Sequence, residues 1–267
     1  MIHSRPFLPI LYIITLLLPF TFTLAYAADV PPIAAAADLQ FALSDIATEF
    51  RAETGQSLKL TFGSSGNFTR QIEQGAPFEM FLCADENYIF RLADRGLTQD
   101  RGVLYAIGRV GLFVPNGSTL SADSELKDLR AALSTGRIKR FAIANPEHAP
   151  YGRAAQAVLK TAGLWDEIKE KLVFGENASQ AMQFAASGAS QGGIVPLSLS
   201  LAPKIAVLGQ FALLPQQMHR GEPLRQRMVL LCSAGATARA FYTYLQQPGS
   251  RKILARYGFV LPEGNGK

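Results

Sequence analysis

Residues 62–85 read FGSSGNFTRQIEQGAPFEMFLCAD, and the order of signals within them decides the fold. An alternating apolar run over residues 58–62 reads as a strand and meets the turn Gly63-Ser64-Ser65-Gly66. A helix is predicted over residues 67–74, Gly75-Ala76-Pro77 breaks it, and residues 80–83 form a short apolar strand ending in Ala84-Asp85. The turn also carries chemistry. A Ser/Gly turn that opens a helix presents unpaired main-chain N–H groups and hydroxyls at the positive end of the helix dipole. That is a ready site for a small anion.

The same alternation extends in both directions. Residues 33–36 read as a short strand, curtailed by Pro31-Pro32. Residues 39–54 place Leu39, Leu43, Ile46 and Phe50 on one helical face, and Gly55 stops the helix. A further helix is predicted over residues 87–94, before Gly96. This βαβα order argues for an α/β fold with mainly parallel sheets flanked by helices. No internal repeat or low-complexity linker interrupts it.

Residues 103–114, VLYAIGRVGLFV, are too long for an ordinary strand and are broken by Gly108. Residues 224–232, LRQRMVLLC, form a second extended segment. Each reads either as one long strand or as a crossing between two lobes. On the second reading one lobe holds residues 28–108 plus 225–267 and the other holds residues 109–224. A ligand would then lie in the cleft between them, enclosed by hinge closure.

At the N-terminus, Arg5 precedes an apolar run over residues 7–24, and Ala25-Tyr26-Ala27 matches a small-residue cleavage site. Residues 1–27 therefore read as a secretory signal peptide. The competing reading is a membrane anchor, since the run is nearly long enough to span a bilayer. Small residues end the run and no basic stop-transfer cluster follows, which favours cleavage and export. Removing the leader takes one Arg from the formal charge of +5. The remaining mild basicity helps attract an anion, but it is not gathered into the basic stripe that nucleic acid requires. Cys83 and Cys232 are the two cysteines, each in an apolar run. Export permits a disulfide, and two buried thiols fit equally well.

Four strand-to-helix turns are the places where a small anion could be held. Asp38 lies before the first helix, where its carboxylate is expected to cap that helix by accepting from the Phe41 N–H. Ser64 and Ser65 occupy the second turn. NPEHAPYG (residues 145–152) follows the strand-like FAIA and precedes a helix carrying Ala155, Val158 and Leu159. GENAS (residues 175–179) precedes a helix from Gln180. Helix capping alone explains any one of these turns.

The pieces AAADLQFALSDIATEF, FGSSGNFTRQIEQGAPFEMFLCADE, NPEHAPYG and ARYGFVLP resemble the periplasmic molybdate-binding proteins, the solute receptors of ABC-type molybdate importers. The resemblance covers nearly the whole mature chain. It implies a two-lobed periplasmic binding protein of type II, with the ligand cleft between the lobes. It also implies a monomer without cofactor or catalysis, whose partners are molybdate or tungstate and the membrane permease of an importer. Carried over by position, Asp38, Ser65, Tyr151 and Ala178 occupy four ligand positions. Ser65 would give its hydroxyl and N–H, Tyr151 and Ala178 their N–H groups, and Ala37 is a weaker fifth candidate.

Two departures stand out. Where some relatives place a Tyr hydroxyl on the oxyanion, this chain has Pro196, which offers no donor. Asp38 is the larger departure, since relatives often carry Ser or Asn there. A carboxylate about 5 Å from a dianion costs roughly 6–7 kcal/mol at an effective dielectric near 20, so its charge is expected to turn away into the helix cap. Sulfate or another oxyanion on the same fold is the alternative cargo. A remote alternative is an exported serine hydrolase, prompted by Gly188-Ala189-Ser190-Gln191-Gly192. A nucleophile elbow needs a strand before the Ser and a helix after it, and here the order is reversed. His148 and His219 are expected on the surface or in loops.

Overall fold

The computed structural model describes residues 1–2 and 30–263. The leader reading over residues 1–27 falls almost entirely outside them. Ten strands follow in chain order: β1 (Pro32–Ala36), β2 (Lys59–Gly63), β3 (Met80–Cys83), β4 (Val103–Ile107), β5 (Val110–Pro115), β6 (Phe141–Ala144), β7 (Leu172–Gly175), β8 (Gly193–Pro196), β9 (Gly209–Leu213) and β10 (Arg225–Leu230). Eight helices are interleaved with them: α1 (Gln40–Thr54), α2 (Ser65–Glu73), α3 (Glu86–Asp94), α4 (Lys127–Ser134), α5 (Pro150–Thr161), α6 (Trp165–Ile168), α7 (Ala178–Ala186) and α8 (Leu197–Ser200). Helices Pro203–Ala206, Ala236–Tyr244 and Pro248–Arg256 complete the set. Among the described residues no helix is long and apolar enough to cross a membrane.

The strands form two five-stranded sheets, ordered β2-β1-β3-β10-β4 and β7-β6-β8-β5-β9. Each has the same plan. The second strand in the order pairs in parallel with both neighbours, β1 with β2 and β3, and β6 with β7 and β8. Antiparallel strands extend each sheet on one side. Parallel and antiparallel pairings are thus equal in number, because strands from the two crossings complete both sheets. Residues 103–114 divide at Gly108-Arg109: β4 ends in the first sheet and β5 begins in the second. The chain returns after β9 to enter the first sheet through β10. The molecule is a two-lobed α/β protein.

Burial explains why these segments settle as they do. The apolar face of α1 buries Ala42, Leu43, Ile46 and Phe50, and Gly55 closes the helix in the left-handed conformation at φ 72°. Phe50 stacks edge-on against Phe241 and Tyr244, with both centroid distances 5.2 Å. Burying one such ring contributes about 1.5–3 kcal/mol. The strands β1, β3, β6 and β8 lie between helical layers, which is why they read as short unbroken apolar runs. Cys83 is buried and Cys232 exposed, and both are free thiols.

Candidate functional site

Parallel strands aim the helices that follow them at one end of their sheet, and here two such ends face each other. Ser65 opens α2, Tyr151 is the second residue of α5, and Ala178 opens α7. N–H groups in the first turn of a helix have no partner within that helix. Side chains fix two of these starts: Ser64 accepts from the Asn67 N–H at 3.4 Å and Asn177 from the Gln180 N–H at 3.1 Å. Pro150 supplies the first residue of α5, where a missing N–H costs nothing.

These helix starts meet at a cavity of about 10 Å³ lined by Ala37, Asp38, Ser64, Ser65, Tyr151 and Ala178, among others. That is space for about one water molecule. All five residues singled out from the sequence line it, and no Lys, Arg or His does. Ser65 Oγ accepts from the Ala84 N–H at 3.1 Å, which leaves its own proton to donate. A larger hollow of about 520 Å³ lies between α1 and α7, lined by Gln40, Phe41, Met182 and Lys204. The starts of α1 and α7 border it, but those of α2 and α5 do not, so it lacks the three-way convergence of the small cavity.

Hydrogen bonds tie the two lobes together around the cavity. The Gly66 N–H donates to the His148 carbonyl at 2.9 Å, and His148 Nδ1 lies 3.0 Å from Ser64 Oγ. Ser179 Oγ donates to the Ala37 carbonyl at 3.0 Å, and Ser198 Oγ to the Asp38 carbonyl at 2.8 Å. Arg153, on α5, pairs with Asp85 of the first lobe and with Glu222 at 2.8 Å. At Gly66 a Cβ would fall 2.7 Å from the His148 carbonyl oxygen, so only glycine allows this approach.

Asp38 departs from the sequence expectation. Residues 37–39 wind a 3-10 turn, Leu39 takes the N-cap of α1, and no side chain caps that helix. The extra turn carries Asp38 beyond capping reach, and its carboxylate enters a buried network instead. Oδ2 accepts from Tyr151 Oη–H at 2.9 Å and from Gln226 Nε2–H at 2.6 Å, and Tyr105 Oη–H donates to Gln226 Oε1 at 2.7 Å. Oδ1 is buried with no hydrogen-bond partner. Burial raises the Asp38 carboxyl from 3.8 to about 6, against the lowering effect of the Gln226 and Tyr151 hydrogen bonds. Burial and the nearby Asp38 together keep both phenols protonated, pushing them well above their ordinary range.

The structure shows several things the sequence reading missed. Gln226, fully buried at the register shift between β10 and β4, is the polar anchor of Asp38. Between Arg225 and Arg227 it carries no local signal of burial. Tyr151 brings a hydroxyl as well as an N–H. His148 lies in the loop before α5, as expected, and His219 in a short 3-10 turn, but both are buried, with Nδ1 beside Ser64 Oγ and the Glu222 carbonyl respectively. Ser190, the hydrolase candidate, donates its hydroxyl to the Gly192 carbonyl at 2.9 Å and sits after a helix and before a strand.

Residues 32–260 match the bacterial extracellular solute-binding protein family. Molybdate-binding protein ModA of Azotobacter vinelandii is 35% identical over 240 residues, spanning 89% of this chain and 92% of that protein. Its counterpart in Rhodobacter capsulatus is 34% identical over 230 residues, spanning 85% and 86%. The solved periplasmic molybdate-binding protein of Azotobacter vinelandii superposes with a TM-score of 0.77 at 28% identity, covering 87% of this chain and all of that one. Family, relatives and fold agree that this chain belongs to the bacterial extracellular solute-binding proteins, as a ModA-type receptor and not an enzyme.

Proposed function

We propose that the protein captures molybdate in the periplasm and delivers it to the permease of an ABC importer, with tungstate held in the same way. The observation that carries this reading is the convergence of the starts of α2, α5 and α7 on one cavity whose walls carry no basic side chain. A dianion there would be stripped of water and held by neutral N–H groups and the Ser65 hydroxyl. Fixed neutral donors select by size and protonation state, where an Arg or Lys clamp would accept many anions. Relatives named for molybdate binding, at 34–35% identity over most of both chains, support the choice of cargo.

Admission of the anion requires the lobes to part, since the cavity holds about one water. The Asp85–Arg153 pair and the contacts of His148 with Ser64 and Gly66 would break on opening and re-form on closure. Export by a cleaved leader and action as a monomer complete the proposal.

The test is the melting temperature of the purified protein with molybdate, tungstate, sulfate and phosphate at matched ionic strength. A ligand at 100 times its dissociation constant adds about 2.7 kcal/mol of stability. Stabilisation by molybdate and tungstate alone is the expected result. Stabilisation by sulfate at similar concentration would move the cargo to the smaller oxyanion, and stabilisation by none would sink the reading.

A further inference from the structure

Asp38 is 1% exposed and lines the cavity, yet only one of its two carboxyl oxygens is satisfied. Oδ2 already accepts two hydrogen bonds, from Tyr151 and Gln226. Oδ1 is buried without any partner. Both donors therefore fix the same oxygen as the acceptor, and a proton on this carboxyl belongs on Oδ1. An ionised Asp38 would set an unscreened charge beside a dianion, whereas a protonated one adds a donor to a wall already made of donors.

We propose that Asp38 binds the oxyanion as a neutral carboxylic acid, donating its Oδ1 proton to an oxygen of the anion, so that capture of each dianion takes up one proton. This rests on the oxyanion reading of the site. The proton comes from solvent, no covalent bond to the anion forms, and the charge of the occupied site falls by one unit. The burial that lifts the carboxyl to about 6 works in the same direction.

On β3, paired with β1, burial pushes the Cys83 thiol up so that it stays protonated, and the rest of the surroundings leave little to titrate. Tyr151 from α5 and Tyr105 from β4 face the carboxyl network, and both remain protonated. The α7 and α8 sequences, ASQAMQFAA and LSLS, carry no ionisable side chain. On β2 Lys59 is exposed at the far end of the strand. On α1 Asp45 is engaged by Arg256 and Tyr257, while Glu49, Arg51 and Glu53 are exposed. On α5 Arg153 pairs with Asp85 and Glu222, and Lys160 is exposed. On β10 Arg225 and Arg227 both hold Glu86.

One consequence is selectivity by protonation state. A fully deprotonated dianion accepts the Asp38 proton. Hydrogen phosphate, which brings a proton of its own, fits only if Asp38 is ionised, so its binding would take up no proton.

Calorimetric titration of the purified protein with molybdate at pH 7 and pH 8, in two buffers of different ionisation enthalpy, tests the proposal. Uptake of one proton per anion weakens binding about tenfold per pH unit above the carboxyl's own titration range. The expected result is that tenfold loss between pH 7 and pH 8, with close to one proton counted per anion. In Asp38→Asn the amide oxygen takes the place of Oδ2 and the NH2 becomes a permanent donor. That variant is expected to bind molybdate with no proton uptake and no loss across the same interval. Wild-type binding that is equally tight at both pH values, with no proton counted, overturns this inference and leaves the oxyanion reading standing. Failure of both proteins to bind molybdate overturns both. The wild-type titration decides by itself should Asp38→Asn fail to fold, a point its melting curve settles.

Discussion

Tyr151 Oη donates to Asp38 Oδ2 at 2.9 Å, across the seam between the two lobes. One residue stands at the start of a helix in the second lobe and the other in the turn that precedes α1 in the first. Both residues line the candidate cavity.

Asp38 also sets a pH dependence of stability without ligand. Its folded-state carboxyl titrates at about 6, above the ordinary 3.8, so the folded protein binds more protons than the unfolded chain between those values. Stability from this group is greatest below about pH 4 and is lost as pH rises through 6. The full lift corresponds to about 3 kcal/mol. Asp38→Asn should therefore gain up to about 3 kcal/mol over the wild type at pH 7.5, with the gain shrinking toward pH 4, read by urea unfolding at several pH values.

Ser65→Ala removes a hydroxyl that lines the cavity and accepts from the buried Ala84 N–H. A hydrogen bond to a charged group is worth about 1.5–3 kcal/mol, so molybdate affinity should fall about 10- to 150-fold. Leaving the Ala84 N–H unpaired should cost about 1–3 kcal/mol of stability besides. Titration calorimetry and a melting curve separate the two effects.

Gly108 stands at the crossing from the first sheet to the second, and a Cβ there would lie 2.2 Å from Tyr151 Oη and 2.9 Å from Gln226 Nε2. Both are partners of Asp38. Gly108→Ala should destabilise the protein by about 1–3 kcal/mol, as overpacking of a tight interior does, and weaken molybdate binding by displacing Tyr151. A variant with unchanged affinity would show that the seam can shift without disturbing the site.

Arg153 of the second lobe reaches across to Asp85 of the first, is held on its other side by Glu222 of its own lobe, and remains 24% exposed. Partial solvent screening limits such a pair to about 1 kcal/mol. Arg153→Ala should therefore speed molybdate release about fivefold in stopped-flow measurements, with little change in the capture rate. Raising the salt concentration should narrow the difference.

Much of this was legible in the sequence, for physical reasons. Leu43, Ile46 and Phe50 share one face of α1, and they and Leu39, at its N-cap, are all buried. The turn at Ser64-Ser65 and the segment APYG advertise helix starts through residue types that suit them. Local pattern fell short where partners are distant in the chain: Gln226 reaches Asp38 across 188 residues. The 3-10 turn that takes Asp38 away from the helix cap was equally hidden, since Ala-Asp-Leu reads as well before a helix as inside one. Helix α2 begins at Ser65, two residues earlier than its apolar pattern suggests, because Ser64 is the residue that caps it.

The most direct test of the account is X-ray absorption at the molybdenum edge on the protein–molybdate complex isolated by gel filtration. The account predicts one molybdenum per chain, four-coordinate and tetrahedral, with oxo ligands only and every protein contact made through hydrogen bonds. Loss of molybdenum on the column, or a centre of higher coordination number with a carboxylate oxygen bound to the metal, would contradict it.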